Sequence, residues 1–364
     1  MGPVDVPPLP EALRTVIEGF RFDGPPVRCE PVAGGHIHRN LLVTGTVGRY
    51  VVQRINRRVF PDVDAVMANT GRIVGHLHAR GRVAPTLVET HQGRLWLQAA
   101  DGSAWRAFRF LEGTVGRDLL AGPADTFEAG RAFSDYVAAL SDLPGPPLAT
   151  TIDAFHDLDH RRDALDAAAA ADPVGRADGV RRQLGRARRL AQVVADAFGT
   201  RTATTPVRTV HNDAKLSNVR FDAETGSATC VVDLDTTMPG SVLYDVGELM
   251  RSTTTHAPED ADEADVDFDL ELLDALSAGY FSSPLCLEAS EVGAMALAGP
   301  RMAVENGLRF LTDHLAGDRY FAVHRVAQNL DRCRAHLRLT ELMLASAAAS
   351  EASFVRAARQ SGPA

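Results

Sequence analysis

The strongest constraint on how this chain can fold is a change of pattern near Gly113. Upstream, residues 27–56 read as short strands broken by turns: VRCEPVA, then GGH, then IHRNLLVTG and RYVVQRIN. Residues 62–80 then place Val63, Val66, Ile73, Val74 and Leu77 on one helical face, with Gly81 as a stop signal. Two further strand patterns follow, RLWLQAA at 94–100 and AWRAFRFLEG at 104–113. Downstream the periodicity is helical, predicting helices near 123–143, 151–170, 174–198, 266–281, 289–316 and 322–349, with strands only around 206–210 and 229–233. The expectation is an α+β, bilobal chain. Residues 1–112 form a small antiparallel sheet with one packed helix, and residues 113–364 form a larger, mainly helical lobe.

Composition narrows the function classes. A chain of 364 residues with 45% hydrophobic content can bury at least one full core. The net charge of -9 argues against a nucleic-acid partner, because neutralising phosphates needs a basic surface. Cys29, Cys230, Cys286 and Cys333 are scattered without C-x-x-C spacing, so they form neither a disulfide framework nor a zinc site, which fits a reducing, cytoplasmic setting. The stretch MGPVDVPPLPEAL has no basic and apolar signal regions, and Val6 stands where a myristoylation motif needs Ser or Thr. No run approaches the roughly 18 apolar residues of a membrane span, so no membrane partner is expected.

The chemistry concentrates in HNDAKLSN, residues 211–218. Lys215 is the only lysine of the chain, in a sequence whose other basic residues are arginines. A compact ammonium on a flexible stem does what a planar fork does not, so its survival here points to a site with its own geometry. Asp213, Lys215 and Asn218 supply what phosphoryl transfer asks for. These are a carboxylate for the nucleophilic hydroxyl, a cation for phosphate, and an amide oxygen for Mg²⁺. The hydrophobic run of VVDLDTTMPG then delivers Asp233 as a second metal ligand. Asp235 points along the same strand face if the strand continues, as a further metal ligand, or else serves a turn or cap. Asp245 opens a helical pattern, and an N-cap or a buried anchor for the catalytic loop suits it better than direct chemistry. Gly34 and Gly35, in AGGHIHRN, permit close backbone approach to a phosphate, although a Gly-Gly hairpin is also an ordinary turn. The acidic run of Glu259, Asp260, Asp262, Glu263, Asp265, Asp267 and Asp269 reads as a solvated face or loop, or else as lining near a substrate mouth.

With those residues in place, the chain resembles the aminoglycoside phosphotransferase and choline kinase superfamily, and within it the N-acetylhexosamine 1-kinases. The likeness runs from about residue 30 to residue 345 and is carried by GGHIHRN, YVVQRINRRVFPD, WRAFRFLEG, HNDAKLSN, DLDTTMPGSVLYDVGELMR and ENGLRFLTDHLAGDRYF. It implies a protein-kinase-like fold, ATP and Mg²⁺ as cofactors, and phosphorylation of the anomeric 1-hydroxyl of N-acetylglucosamine or N-acetylgalactosamine. It further implies Asp213 as catalytic base, Asn218 and Asp233 as Mg²⁺ ligands, and Arg109, Phe110, Leu111 and Glu112 as the hinge strand whose backbone reads adenine. His36, Arg309 and Tyr320 are the implied sugar contacts; against that, Glu305 and Arg309 have the spacing of a helical ion pair, and Tyr320 is compatible with a core position. The strand position that carries an ATP-binding lysine in related kinases falls in VVQRIN, where Gln53 is preferred and Arg54 is the alternative, since neighbours face opposite ways. The helix glutamate that pairs with that lysine is missing, with Asn69 as a neutral substitute. Other acceptors compatible with the same motifs are an aminoglycoside, an amino alcohol or a different sugar, and a non-catalytic binding protein would have lost Asp213 or the metal ligands. The expected assembly is a monomer or homodimer.

Overall fold

A computed structural model describes residues 11–32, 37–117, 122–202 and 204–361. Gly34, Gly35 and His36 lie outside the described residues. The chain divides into two compact units, residues 1–113 with 149–152, and residues 114–148 with 153–364.

The first unit holds helix α1 (Glu11–Glu18), strands β1 (Pro26–Pro31), β2 (Arg39–Gly45) and β3 (Arg49–Ile55), helix α2 (Val63–Ala79), and strands β4 (Leu87–Val88), β5 (Leu97–Gln98) and β6 (Ala104–Arg109). The sheet is antiparallel in the order β1-β2-β3-β6-β4, with β5 also pairing β6. Alternation along β3 sorts its side chains. Tyr50 and Val52 join Val16, Ile17 and Phe20 of the α1 segment, while Ile55 joins Val63, Val66 and Met67 of α2. Asp62 caps α2 by accepting the Ala65 N–H at 2.9 Å. Helix α1 has no counterpart in the sequence reading, because a proline-rich stretch precedes so short an apolar pattern. The strand expected at 94–100 shrinks to two residues.

The second unit contains β7 (Thr114–Val115), α3 (Pro123–Leu140), α4 (Leu158–Ala171), α5 (Arg181–Thr202), β8 (Arg208–Val210), β9 (Val219–Asp222), β10 (Ala228–Val231), β11 (Met238–Gly240), α6 (Val242–Thr253), α7 (Leu270–Phe281), α8 (Ala289–Ala316), α9 (Gln328–Ala345) and α10 (Ala347–Gln360). Helix α8 forms its spine. Its Val304, Leu308, Leu311 and Leu315 pack with Leu158 and Leu165 of α4, Leu184 and Leu190 of α5, and Leu330 and Leu337 of α9. Each such fully buried leucine contributes about 1.5–3 kcal/mol. A capping box between Glu288 and Glu291 starts α8, and Gly317 at φ +93° ends it.

Two helical expectations need correction. The pattern at 151–157 is not helical, since the chain turns through Ala154 at φ +49° before α4. The stretch expected to be helical from 322 begins at Gln328, because the Asp313 carboxylate takes the N–H groups of Arg319, Tyr320 and Phe321 and holds a loop. A break at Ser346 then separates α9 from α10. The short strands β7, β9 and β11 escaped the pattern because two to four residues carry no readable alternation. The acidic run lies in an exposed to half-exposed loop segment, and part of it is ion-paired: Glu259 pairs with Arg251 and Arg332, Asp260 with Arg325, and Glu263 with Arg186. Among the described residues, no helix is long and apolar enough to cross a membrane.

Candidate active site

Strand β8 ends at Val210 and passes the chain into the segment 211–218, which is held from three sides. Asp245, in the first turn of α6 and fully buried, accepts the His211 N–H at 2.9 Å and the Asn212 N–H at 2.7 Å. The N-cap of α6 is Ser241, so Asp245 is the buried anchor and not the cap. Burial pushes its carboxyl up to about 6 against the opposing pull of the two N–H donors. Gly247 lets α6 and α8 approach closely, since a Cβ there would lie 2.4 Å from the Ala298 carbonyl oxygen. His211 accepts the Asp213 N–H at Nδ1 (3.2 Å) and donates from Nε2 to the Val232 carbonyl (3.0 Å), which makes it the neutral Nε2–H tautomer. Asn212 sits at φ +62°, with its amide donating to the Thr236 and Met238 carbonyls. Gly240 leaves room for that side chain, because a Cβ there would lie 2.6 Å from the Asn212 Oδ1.

These anchors gather the motif residues. Lys215 Nζ lies 2.8 Å and Asn218 Nδ2 3.1 Å from the same oxygen of Asp213, Oδ2. Among the described residues Oδ1 takes no hydrogen bond, and the Asp213 side chain keeps 26% exposure. Burial opposes the Asp213 charge, but Lys215 outweighs it and holds the carboxyl below its ordinary value. Burial likewise opposes the Lys215 ammonium, and Asp213 and Asp233 outweigh it and raise its affinity for the proton. Asn218 also donates to the Asp213 carbonyl at 2.9 Å, so its amide oxygen faces away from that partner.

The strand does not run on through Asp235. It ends at Val231, Asp233 turns left-handed at φ +64°, and Asp235 lies in the 3-10 turn Leu234–Thr236, so the shared-face expectation fails. The turn brings the pair together by another route, with a carboxylate oxygen of each within 4.8 Å of the other. Asp233 is exposed and Asp235 buried. Two carboxylates brought this close offer hard oxygen donors of the kind that suit Mg²⁺.

A second cluster surrounds Glu305 on α8, which is fully buried. Its carboxylate meets Arg301 at 2.6 Å, His156 Nδ1 at 3.0 Å and Arg161 at 3.9 Å. Burial works against that charge, and His156 and Arg301 override it, keeping Glu305 well below the usual carboxylate range. The helical partner of Glu305 is therefore Arg301, not Arg309. Arg309 instead donates to Asn306 (3.3 Å) and lies 5.6, 5.8 and 5.4 Å from the ring centroids of Phe155, Tyr320 and Phe321. Tyr320 is 44% exposed, so it is not a core residue. Asn306 donates to Glu248 at 2.7 Å and Glu248 binds Arg251 at 2.6 Å, a chain of contacts leading back towards Asp213. His156, Asn306 and Glu248 were not singled out in the sequence: His156 lies outside every quoted stretch, and Glu248 and Asn306 fall inside DVGELMR and ENGLRF with no role assigned to them.

In the first unit, Gln53 and Arg54 separate as adjacent strand residues must. Gln53 is on the α2-facing side, where its amide accepts from Arg106 Nε at 2.9 Å and donates to Asn40 at 3.0 Å. Arg54 faces the other way and reaches Asp101 at 3.5 Å. Asn69 does not partner Gln53, because both ends of its amide bind the backbone of Ala149. Arg106, 1% exposed and also overlooked in the sequence, is the cation of this face. Strand β6 ends at Arg109, so Phe110, Leu111 and Glu112 lie beyond it. The N–H groups of Arg109 and Phe110 donate to the Thr86 and Arg49 carbonyls at 2.8 and 2.9 Å, so these two N–H groups are already engaged. Their neighbouring side chains form ion pairs, Arg109 with Asp23 and Glu112 with Arg49.

A carboxylate bonded to a lysine, with two further carboxylates brought together downstream, is an arrangement suited to phosphoryl transfer. Residues 28–287 match the phosphotransferase enzyme family, and the chain belongs to that family. It is similar in structure to a microcompartment-associated aminopropanol kinase (TM-score 0.65, 15% identity, 93% of this chain and 98% of the other). It is also similar to a spectinomycin phosphotransferase solved with ADP and spectinomycin (TM-score 0.60, 11% identity, 93% and 99%). A third similar structure is a Plasmodium vivax ethanolamine kinase (TM-score 0.54, 12% identity, 85% and 82%). The fold is protein-kinase-like, and the chain is a small-molecule kinase of that phosphotransferase family.

Proposed function

We propose that this kinase transfers the γ-phosphoryl group of ATP to the anomeric 1-hydroxyl of an N-acetylhexosamine, giving the sugar 1-phosphate. Asp213 orients the hydroxyl through Oδ1, the oxygen that Lys215 and Asn218 leave open, and takes its proton. A carboxylate held ionised is a weak proton sink but a good orienting acceptor, which suits a loose transition state dominated by positioning. Lys215 places its charge towards the phosphate. Asn218, Asp233 and Asp235 are assigned to Mg²⁺, which when bound neutralises phosphate charge. Gln53 and the backbone of Leu111 and Glu112 are assigned to the nucleotide, and Arg309, Tyr320 and His36 to the sugar.

The observation that carries the acceptor class is the surplus of positive charge around Glu305. Arg161, Arg301, Arg309 and His156 crowd one buried carboxylate, and Arg309 already lies among three aromatic rings. An amino alcohol or aminoglycoside would bring further cations to a surface that repels them. A neutral sugar amide avoids that cost. The related kinases with amino-alcohol or aminoglycoside names are 15% identical or less, which leaves their acceptors open for this chain.

The test is ATP consumption with Mg²⁺ across N-acetylhexosamines, other hexoses, ethanolamine, choline and spectinomycin, with the product position read by phosphorus NMR. An anomeric phosphate on an N-acetylhexosamine is the expected result. Turnover confined to cationic acceptors, or phosphate on another ring hydroxyl, refutes the reading.

A further inference from the structure

His156 lies outside every motif above, yet it joins the two clusters of the second unit. Its Nε2 lies 2.7 Å from the Asn212 carbonyl and its Nδ1 3.0 Å from Glu305. A carbonyl can only accept, and Glu305, bound also by Arg301, is an ionised acceptor, so both ring nitrogens donate. The ring is packed against Phe155 and Tyr244, at centroid distances of 4.4 and 4.6 Å, and the residue is 8% exposed. Arg301 secures its backbone, donating to the His156 carbonyl at 2.5 Å.

The target of this bond is the peptide between Asn212 and Asp213. Its N–H is held by His211 Nδ1 at 3.2 Å and its carbonyl by His156. A left-handed residue costs free energy and persists only where its surroundings fix it, and Asn212, at φ +62°, immediately precedes Asp213. Releasing the carbonyl frees that plane to rotate, and with it the direction of the Asp213 side chain. Glu305 lies one helical turn before Arg309, so the same contact ties the acceptor side of α8 to the catalytic loop.

We propose that His156 and Glu305 are positioning residues for phosphoryl transfer: the Glu305 carboxylate holds a doubly donating His156, which clamps the Asn212–Asp213 peptide and aims Asp213. This rests on the family's phosphotransfer chemistry and on Asp213 as base, not on the identity of the sugar. The step it serves is unchanged: the hydroxyl oxygen bonds to γ-phosphorus, ADP leaves, and the hydroxyl proton goes to Asp213.

The first test is nitrogen-15 NMR of the intact wild-type protein, with the His156 signal assigned by its loss in His156→Gln. Both ring nitrogens protonated and bearing slowly exchanging N–H protons is the expected result; a bare Nδ1 or Nε2 overturns the clamp. The second test is kinetic, on His156→Gln and Glu305→Gln, using whichever acceptor the wild type turns over. The expected outcome is a fall in kcat of about 10- to 100-fold with KM for ATP and acceptor held within about twofold, as for a misaimed group. A folded His156→Gln enzyme with wild-type kcat, or one whose defect lies wholly in KM, overturns the proposal. If either variant fails to fold, the NMR result decides. A wild type inactive on N-acetylhexosamines but active on another acceptor refutes only the sugar assignment, and leaves both tests standing.

Discussion

Replacing Asp213 by asparagine tests the proposed division of duties between its two carboxylate oxygens. Lys215 Nζ and Asn218 Nδ2 both converge on Oδ2, at 2.8 and 3.1 Å. In Asp213→Asn the new amide oxygen can take the place of Oδ2 and keep both donors, while the amide nitrogen replaces Oδ1. The hydroxyl-facing acceptor becomes a donor. Loss of a positioned general base costs about 10²- to 10⁴-fold in kcat. The structural cost is the charge attraction to Lys215, whose side chain is 29% exposed; solvent screening reduces it to about 1 kcal/mol. For a chain of this length that corresponds to a fall in Tm of roughly 1–2 °C. Asp213→Ala removes the acceptor from both donors and costs about 1–3 kcal/mol for each group left unpaired. The assays are initial-rate kinetics, nucleotide binding by calorimetry and differential scanning. The reasoning fails if Asp213→Asn retains kcat within a few-fold, or if it destabilises the protein as much as Asp213→Ala.

Gln53→Lys restores the lysine of related kinases but sets a second cation against Arg106, whose Nε is 2.9 Å from the Gln53 oxygen; Tm falls and KM for ATP does not improve, whereas an unchanged Tm refutes the contact with Arg106. Arg309→Gln removes a charged contact from the acceptor side and raises acceptor KM about tenfold or more while ATP KM stays constant; an unchanged acceptor KM removes Arg309 from the site. His336, donating to the Arg332 carbonyl and facing Arg251, is pushed down to about 4 by burial and by that arginine. Its folded value lies below the unfolded one, so its stabilising contribution is complete above pH 6.5 and is lost as pH falls towards 4. Between pH 7 and 5 this removes about 2 kcal/mol. Unfolding curves of wild type and His336→Gln should differ by that pH dependence, and parallel curves refute it.

The sequence by itself determined the order of the architecture and singled out the candidate site. Alternating patterns before Gly113 and helical ones after it report which faces are buried, a local property written at fixed periods, and α8 was legible from end to end. HNDAKLSN and the following DLD carry their meaning in spacing, because Asp213, Lys215 and Asn218 meet through bonds spanning five residues or fewer. What the tertiary structure decided are the contacts made across long stretches of chain. Whether strand β10 continued to Asp235 depended on a left-handed turn at Asp233, and the partner of Glu305 was settled by His156, which is 149 residues away in sequence. Likewise Asn69 was claimed by the Ala149 backbone and Gln53 by Arg106, pairings no local pattern encodes. Periodicity tells a side chain which face it belongs to. Only packing decides which of the several polar groups on that face is close enough to satisfy it, since every buried donor and acceptor must find a partner and the chain offers many.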